Sequence, residues 1–217
     1  MPKSVYSLVL SDEVVAEIDR LAYAEGTSRS KLIDRILAEH AGCETFSHRT
    51  GDIFGCIEQM ANLEQQFRLL LTPGDELLQL LGALPYKYNP TVRYAVELYE
   101  DDPAALGQLR VSLRSQSRPL LDALGGFFTL WSQLEERRFA DGSFLSYEIA
   151  DGRYTRELRP VAGASSDQLG EAIAGYIRLF DRVLRSYFDA LPQGAPAAAA
   201  KAGAVFAKSL TPAVAQL

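Results

Sequence analysis

The first ten residues show a hydrophobic pattern with a period of two. Side chains that alternate in this way point to opposite sides of an extended backbone, so residues 5–10 are predicted to form a short strand. One face of this strand would carry the large apolar side chains of Tyr6, Leu8 and Leu10. The other, outward face consists of Val5, Ser7 and Val9.

Two helices are predicted directly after this strand. Ser11 is a candidate N-cap, and apolar residues then recur at helical spacing until Gly26, a residue that readily takes the left-handed backbone conformation ending a helix. Ser28 is the candidate N-cap of the second helix, which we expect to end near Gly42. The order is therefore strand, helix, glycine turn and serine-capped helix.

The predicted strand has no partner in its own neighbourhood. A strand without neighbours leaves its backbone N–H and C=O groups unpaired along both edges. Pairing with the same strand of a second chain, antiparallel about a two-fold axis, would satisfy one edge. We therefore expect a homodimer formed through the N-terminal strands.

The N-terminal DNA-binding and dimerisation domain is predicted over residues 1–44, and within it residues 3–44 resemble the ribbon-helix-helix domain of the MetJ/Arc/CopG repressors. The resemblance rests on the run from Tyr6 to Val14, the Ile18-Asp-Arg-Leu-Ala segment and the Gly26-Thr-Ser-Arg-Ser-Lys-Leu-Ile segment. It implies that the paired strands enter the major groove of double-stranded DNA and that the second helix holds phosphate at its N-terminus. The residues implied to bind DNA are Lys3, Val5, Ser7, Val9, Thr27, Ser28, Arg29 and Ser30.

The outward strand face is less polar than base recognition by hydrogen bonds requires. Only Ser7 offers a hydrogen-bonding side chain, whereas Val5 and Val9 could contact only thymine methyl groups. Sequence preference would then depend on Lys3 and on DNA shape. The alternative is that protein covers this face and that it contacts no DNA.

The rest of the chain is predicted to be a helical domain over residues 52–191. Apolar residues at helical spacing predict helices over 52–71, 77–84, 92–99, 102–139 and 165–191, with Asn89-Pro90 and Asp102-Pro103 as helix starts. Long helices with short connections are typical of a bundle. The predicted fold class is thus mainly α, an N-terminal ribbon-helix-helix unit followed by a helical bundle.

One β-hairpin interrupts the predicted bundle near residues 144–160. Alternating apolar residues flank Asp151-Gly152, a dipeptide that favours tight hairpin turns. Residues 192–217 are rich in alanine and carry few large apolar side chains, so we expect a flexible tail with at most a short helix around 197–209.

Composition and charge narrow the class of protein. Hydrophobic residues make up 47% of the 217 residues, but no apolar run is long enough to cross a membrane. Only two cysteines are present, which is typical of a reducing compartment. We therefore expect a cytoplasmic protein without membrane contact. The net charge of −6 excludes a protein that coats nucleic acid through a broadly basic surface. Any DNA contact must therefore be local.

Two clusters of polar residues have more than one interpretation. His40, Cys43, His48 and Cys56 could supply a zinc site, but their irregular spacing favours chance clustering, so no cofactor is predicted and the metal question stays open. A second set of residues recurs every four positions on a predicted helix and is interpreted as a solvated or ion-paired face, with contact to DNA phosphate or to an anionic ligand as the alternative. This set is Arg110, Arg114 and Arg118.

These observations predict a sequence-specific DNA-binding transcriptional regulator that acts as a dimer. The alternative is a dimeric protein–protein adaptor, similar to an antitoxin or partition accessory, in which the N-terminal unit mainly dimerises. Catalysis is not expected, because the sequence contains no phosphate-binding glycine loop, nucleophile elbow or His-Glu-x-x-His motif. The helical domain would serve assembly or sensing, and dimers could join into higher oligomers.

Overall fold

The computed structural model describes residues 5–43, 45–70, 76–100, 102, 104–138 and 146–209. The chain divides into two compact units, Met1–Gly51 and Asp52–Leu217. The boundary falls within a helix, α3, which spans Phe46–Leu63. Within the described ranges, no helix combines the length and the apolar character that crossing a membrane requires.

The first unit contains the two predicted helices. Helix α1 spans Asp12–Ala24 and α2 spans Arg29–Ala41. The Oγ of Ser28 accepts a hydrogen bond from the backbone N–H of Lys31, which confirms Ser28 as the N-cap of α2. Gly26 and Gly42 follow the two helices with φ of +65° and +66°, as the glycine signals predicted.

The predicted fold class is wrong at the N-terminus. Residues 5–10 lie outside any helix or strand, and every strand that the structure describes comes after α3. The physical reason is that a strand needs a hydrogen-bonded neighbour, and residues 5–10 have none within the described chain.

The predicted helical bundle is also wrong. The second unit is built on a six-stranded antiparallel sheet with the strand order β1-β2-β3-β4-β6-β5. The strands are β1 Phe67–Leu70, β2 Leu77–Ala83, β3 Thr91–Leu98, β4 Gly107–Leu113, β5 Tyr147–Ala150 and β6 Arg153–Leu158. The helices of this unit after α3 are α4 Arg118–Arg138, α5 Ser166–Ala190 and α6 Ala195–Ser209, with a short 3-10 turn, Leu191–Gln193, before α6.

Helices were predicted in place of strands because short apolar runs can fit either a helical or an extended period. Strand β4 buries every second residue from Gly107 to Leu113, a true period of two, although single positions also fit a helical spacing. Asn89 and the preceding Tyr88 take positive φ values of 44° and 67°, so the Asn89-Pro90 pair belongs to a turn between β2 and β3 rather than to a helix start.

Two predicted elements of the second unit are present. Strands β5 and β6 form the hairpin around Asp151 and Gly152, and Gly152 has a φ of +68°. Helix α5 begins at a capping box in which Ser165 and Gln168 exchange side-chain to backbone hydrogen bonds. Part of the segment expected to be a tail forms α6, which buries Ala198, Ala202 and Phe206.

Helix α5 lies in the centre of the second unit. Most of its residues are buried, including Phe180, which contacts Tyr94 of β3 and Trp131 of α4, whereas one stripe that includes Glu171, Arg182 and Asp189 is exposed. Gly170 brings α5 close to α3, since an added Cβ would lie 2.8 Å from the Cβ of Cys56. Helix α5 therefore packs against the sheet, α3 and α4 through its apolar side and leaves one side open to solvent.

Candidate nucleic-acid interface

The N-terminal unit exposes an unusual amount of apolar surface. Nine of the twelve large apolar side chains that are exposed in the described chain belong to it, and Ala22 and Leu32 are its buried apolar residues in the ranges described. The exposed set is Val5, Tyr6, Leu8, Val9, Leu10, Val14, Tyr23, Ile36 and Leu37. A single copy of this unit therefore buries too little apolar area for a core.

The residues predicted to face DNA on the N-terminal segment are open to solvent. Val5 and Val9 are 101% and 102% exposed, and Ser7 is also exposed. Lys3 lies outside the described residues. Leu8, predicted to lie on the opposite face, is 59% exposed in the single chain. Both faces of the segment are thus available to a partner.

The residues predicted to hold phosphate lie together at the start of α2. Thr27 donates its backbone N–H to the carbonyl of Ala22 at 2.9 Å and is half-buried, whereas Ser28, Arg29 and Ser30 are exposed. Within the described ranges, no hydrogen bond occupies the backbone N–H groups of Arg29 and Ser30. Free amides and the positive end of the helix dipole are the features that bind a phosphate group.

The guanidinium of Arg29 is engaged by an acid that the sequence interpretation missed. It forms an ion pair with Asp19 of α1, and Arg35 of α2 forms a second pair with Glu25 at 2.5 Å. These two pairs link the helices across their connection. Exposed ion pairs of this kind contribute little net free energy. The only sequence signal for this pair was the acidic character of α1.

The other polar residues that the sequence singled out do not form one site. Among the described residues, no three His, Cys, Asp or Glu side chains are grouped so that they could hold a metal ion. Cys56 donates its thiol to the carbonyl of Asp167 at 3.7 Å, and burial raises the pKa of this thiol.

The arginines predicted to form a stripe on one helix lie on different elements. Arg110 belongs to β4, Arg114 follows that strand, and Arg118 starts α4. Arg110 lies 3.6 Å from Glu97, and Arg118 forms ion pairs with Asp122 and Asp151. The helical spacing was accidental, although the ion-paired part of the interpretation holds for these two residues.

Comparison with known proteins does not assign the chain to a family. No family model matches it, and neither a curated protein nor a solved structure is similar enough to be matched.

Proposed function

We propose that the chain is a cytoplasmic, sequence-specific DNA-binding transcriptional regulator that acts as a homodimer. In this proposal, residues 5–10 of two chains lie side by side, and the paired segments contact the major groove. The N-termini of the two α2 helices then bind phosphate on either side. The observation that carries the proposal is the exposure of apolar side chains on both faces of residues 5–10, in the same unit as a capped helix that presents free amides.

Dimerisation would supply the core that one N-terminal unit lacks. Burying an apolar side chain of the size of leucine contributes about 1.5–3 kcal/mol. Tyr6, Leu8 and Leu10 of both chains would be removed from water together, leaving Val5, Ser7 and Val9 to face DNA. The free energy gained in this way offsets the ordering of the segment.

A salt titration tests the proposal. Binding that neutralises phosphates weakens linearly on a logarithmic salt scale, with a slope of about −0.9 for each phosphate contacted. Binding of the full chain to a labelled duplex should therefore show a steep negative slope. Arg29→Ala should weaken binding to specific and random duplexes alike, whereas Ser7→Ala should change which sequence is preferred.

Arg20→Ala is the matched control for Arg29→Ala. Arg20 is also exposed and ion-paired, to Glu17 at 2.5 Å, but it belongs to α1 and not to the N-terminus of α2. Its replacement should leave DNA binding unchanged. Equal loss of specificity from Arg29→Ala and Ser7→Ala would contradict the proposed division of roles.

The second candidate function is a dimeric protein–protein adaptor. The observations that favour it are the two fully exposed valines on the outward face and the pairing of Arg29 with Asp19. An adaptor of this kind would show hardly any binding to random duplex DNA at any salt concentration. The same titration therefore separates the two functions.

A further inference from the structure

One row of side chains crosses the outer face of the sheet and carries three arginines. The strand register joins these residues as direct neighbours from β1 to β5. The row reads Arg68, Leu81, Arg93, Ser112, Arg153 and Ala150. The three arginines, called the arginine row below, lie on alternate strands of this row, and all three are exposed.

The arginine row lies on the face of the sheet opposite the core. Neighbouring residues of the same strands point inward: Tyr94 contacts Phe180 of α5, and Tyr154 contacts Phe128 of α4. Because side chains alternate along a strand, Arg93 and Arg153 point to the outer face. The three arginines are accessible to a partner at this end of the outer face, whereas Gln79 and Ala95, farther along their strands on the same face, are buried.

Charge is segregated along the strands of this outer face. The next row across the sheet contains one arginine and one glutamate: Leu70, Gln79, Ala95, Arg110, Thr155 and Glu148. The third row contains two glutamates and no cation: Leu77, Glu97, Gln108 and Glu157. One end of the face is thus basic in a chain whose net charge is −6.

The two glutamates of the third row already face cations of the same chain, Arg110 and Arg159, whereas most of the arginine row has no acidic partner. Glu97 accepts a hydrogen bond from Gln108 at 2.6 Å and lies 3.6 Å from Arg110. Arg153 lies 3.7 Å from Glu148, a weak exposed pair. Arg68 and Arg93 have no ion pair within the described part of the chain. The unsatisfied charge on this face is therefore positive.

Two further cations lie at the basic end of the face. Lys87 is in the turn between β2 and β3, and Arg114 follows β4, which ends at the same edge. Three acids of the described chain also lie at this end: Asp122 and Asp151 are ion-paired with Arg118, and Glu64 is ion-paired with Arg178 at 2.6 Å. The local excess of positive charge thus extends beyond the arginine row.

The length of the arginine row suits a linear polyanion. Four steps between neighbouring strands separate Arg68 on β1 from Arg153 on β6, and at about 4.8 Å for each step the row spans roughly 19 Å. Duplex DNA presents one negative charge for about every 1.7 Å of its axis. A duplex lying along the row therefore offers several phosphates to each guanidinium, and guanidinium groups bind phosphate in a bidentate manner.

We propose that the arginine row of Arg68, Arg93 and Arg153 binds the phosphate backbone of duplex DNA. This inference deepens the proposed function and rests on it, adding a contact by the second unit that carries affinity but no sequence preference. A second copy of the chain is the less favoured occupant, because the glutamates that would meet the arginines are already engaged by Gln108, Arg110 and Arg159.

The test compares two triple variants of the full chain with the wild type. The row variant is Arg68→Gln, Arg93→Gln and Arg153→Gln. The control variant, Arg137→Gln, Arg182→Gln and Lys201→Gln, removes the same charge from exposed cations of the second unit that lie outside the sheet. Equal thermal midpoints of all three proteins would show that the fold is intact. The probe is a labelled duplex carrying the genomic fragment that the wild-type chain enriches most.

The row variant should bind this duplex with a salt slope that is less steep by about 2.7 for each row engaged, since three phosphate contacts are lost. Its preference between the enriched and a scrambled duplex should remain, and the control variant should keep the wild-type slope. If the row variant keeps the wild-type salt slope while Arg29→Ala weakens binding, this inference is overturned but the proposed function is not. Absence of wild-type binding would overturn the proposed function and this inference with it.

Two other outcomes would also overturn the proposal. If the row variant kept the wild-type slope but lost self-association in sedimentation velocity, the row would be an interface between copies of the chain. If it kept the slope but lost binding to vesicles containing phosphatidylserine, the row would contact a lipid surface instead.

Discussion

The Nε of Arg156 lies 3.2 Å from Oε1 of Glu135, and both side chains are buried, at 1% and 3% exposure. Arg156 is on β6 and Glu135 is on α4, so this ion pair joins the sheet to the helices inside the core. Tyr154 donates a hydrogen bond to Oε2 of Glu135 at 2.7 Å, and the Arg156 guanidinium lies over the ring of Tyr176. The charges of Arg156 and Glu135 thus compensate each other inside the core.

Removing one partner of this pair should destabilise the second unit strongly. Glu135→Gln leaves the Arg156 guanidinium buried without its counter-charge, which costs about 3–5 kcal/mol. Urea denaturation followed by tryptophan fluorescence measures the effect, since Trp131 is buried close to Tyr176. The double variant Glu135→Leu and Arg156→Met should recover most of the loss. A single variant as stable as the wild type would contradict this account of the core.

Stability should also depend on pH through Asp181. Its Oδ1 accepts a hydrogen bond from Tyr94 at 2.8 Å, its Oδ2 has no hydrogen-bond partner among the described residues, and burial raises its pKa above the usual 3.8. The hydrogen bond from Tyr94 and the charge of Arg185 oppose this rise, and the charge of Glu64 adds to it. The folded state therefore holds this proton more tightly than the unfolded state does.

Because the pKa of Asp181 is higher in the folded state than in the unfolded state, the protein loses stability as pH rises from the unfolded-state pKa through the folded-state pKa. Asp181→Asn removes this ionisation and keeps an acceptor for Tyr94. Relative to the wild type, Asp181→Asn should gain stability as pH rises from 4 to 7, by about 1.4 kcal/mol for each unit of the pKa rise. Urea denaturation of both proteins at several pH values provides the measurement. A difference that does not change with pH would refute the assignment.

Glycine substitutions should report on the contact between α3 and α5. A Cβ added at Gly170 would lie 2.8 Å from the Cβ of Cys56 and 3.0 Å from the Cα of Ile53, so Gly170→Ala should destabilise by about 1–3 kcal/mol. Gly125, inside α4, meets no atom within 4 Å in the same test, so Gly125→Ala should stabilise by about 0.5–1 kcal/mol. Thermal midpoints of Gly170→Ala and Gly125→Ala that shift in the same direction relative to the wild type would contradict the close contact between α3 and α5.

The sequence predicts elements well where a local signal has one physical meaning. Ser28, Gly26 and Gly42 mark the limits of α2 and its preceding turn because capping hydrogen bonds and positive φ depend on residues close in the chain. The Asp151-Gly152 turn is predicted for the same reason. Helix α5 is long and strongly periodic, so its pattern identifies it.

The sheet of the second unit could not be predicted in the same way. Strands such as β2, with the sequence Leu77-Leu-Gln-Leu-Leu-Gly-Ala, are short apolar runs in which helical and extended periods fit equally well. Their state depends on pairing with residues far away in the sequence. The arginine row was invisible for this reason, because only the register of five strand pairs brings Arg68, Arg93 and Arg153 into line.

The proposed DNA contact at residues 5–10 rests on pairing between two chains. Leu8→Asp would place a charge on the face predicted to be buried by the partner, whereas Val9→Asp places the same charge on the outward face. Leu8→Asp should therefore abolish both dimerisation and DNA binding. Val9→Asp should abolish DNA binding and leave the dimer intact.

Sedimentation equilibrium of the fluorescently labelled full chain at nanomolar concentration measures this directly. The account predicts a mass of twice 23.9 kDa for the wild type and Val9→Asp, and a monomer for Leu8→Asp. A wild-type chain that sediments as a folded monomer at these concentrations, or a Leu8→Asp variant that remains a dimer and binds DNA, would contradict pairing through the N-terminal segment.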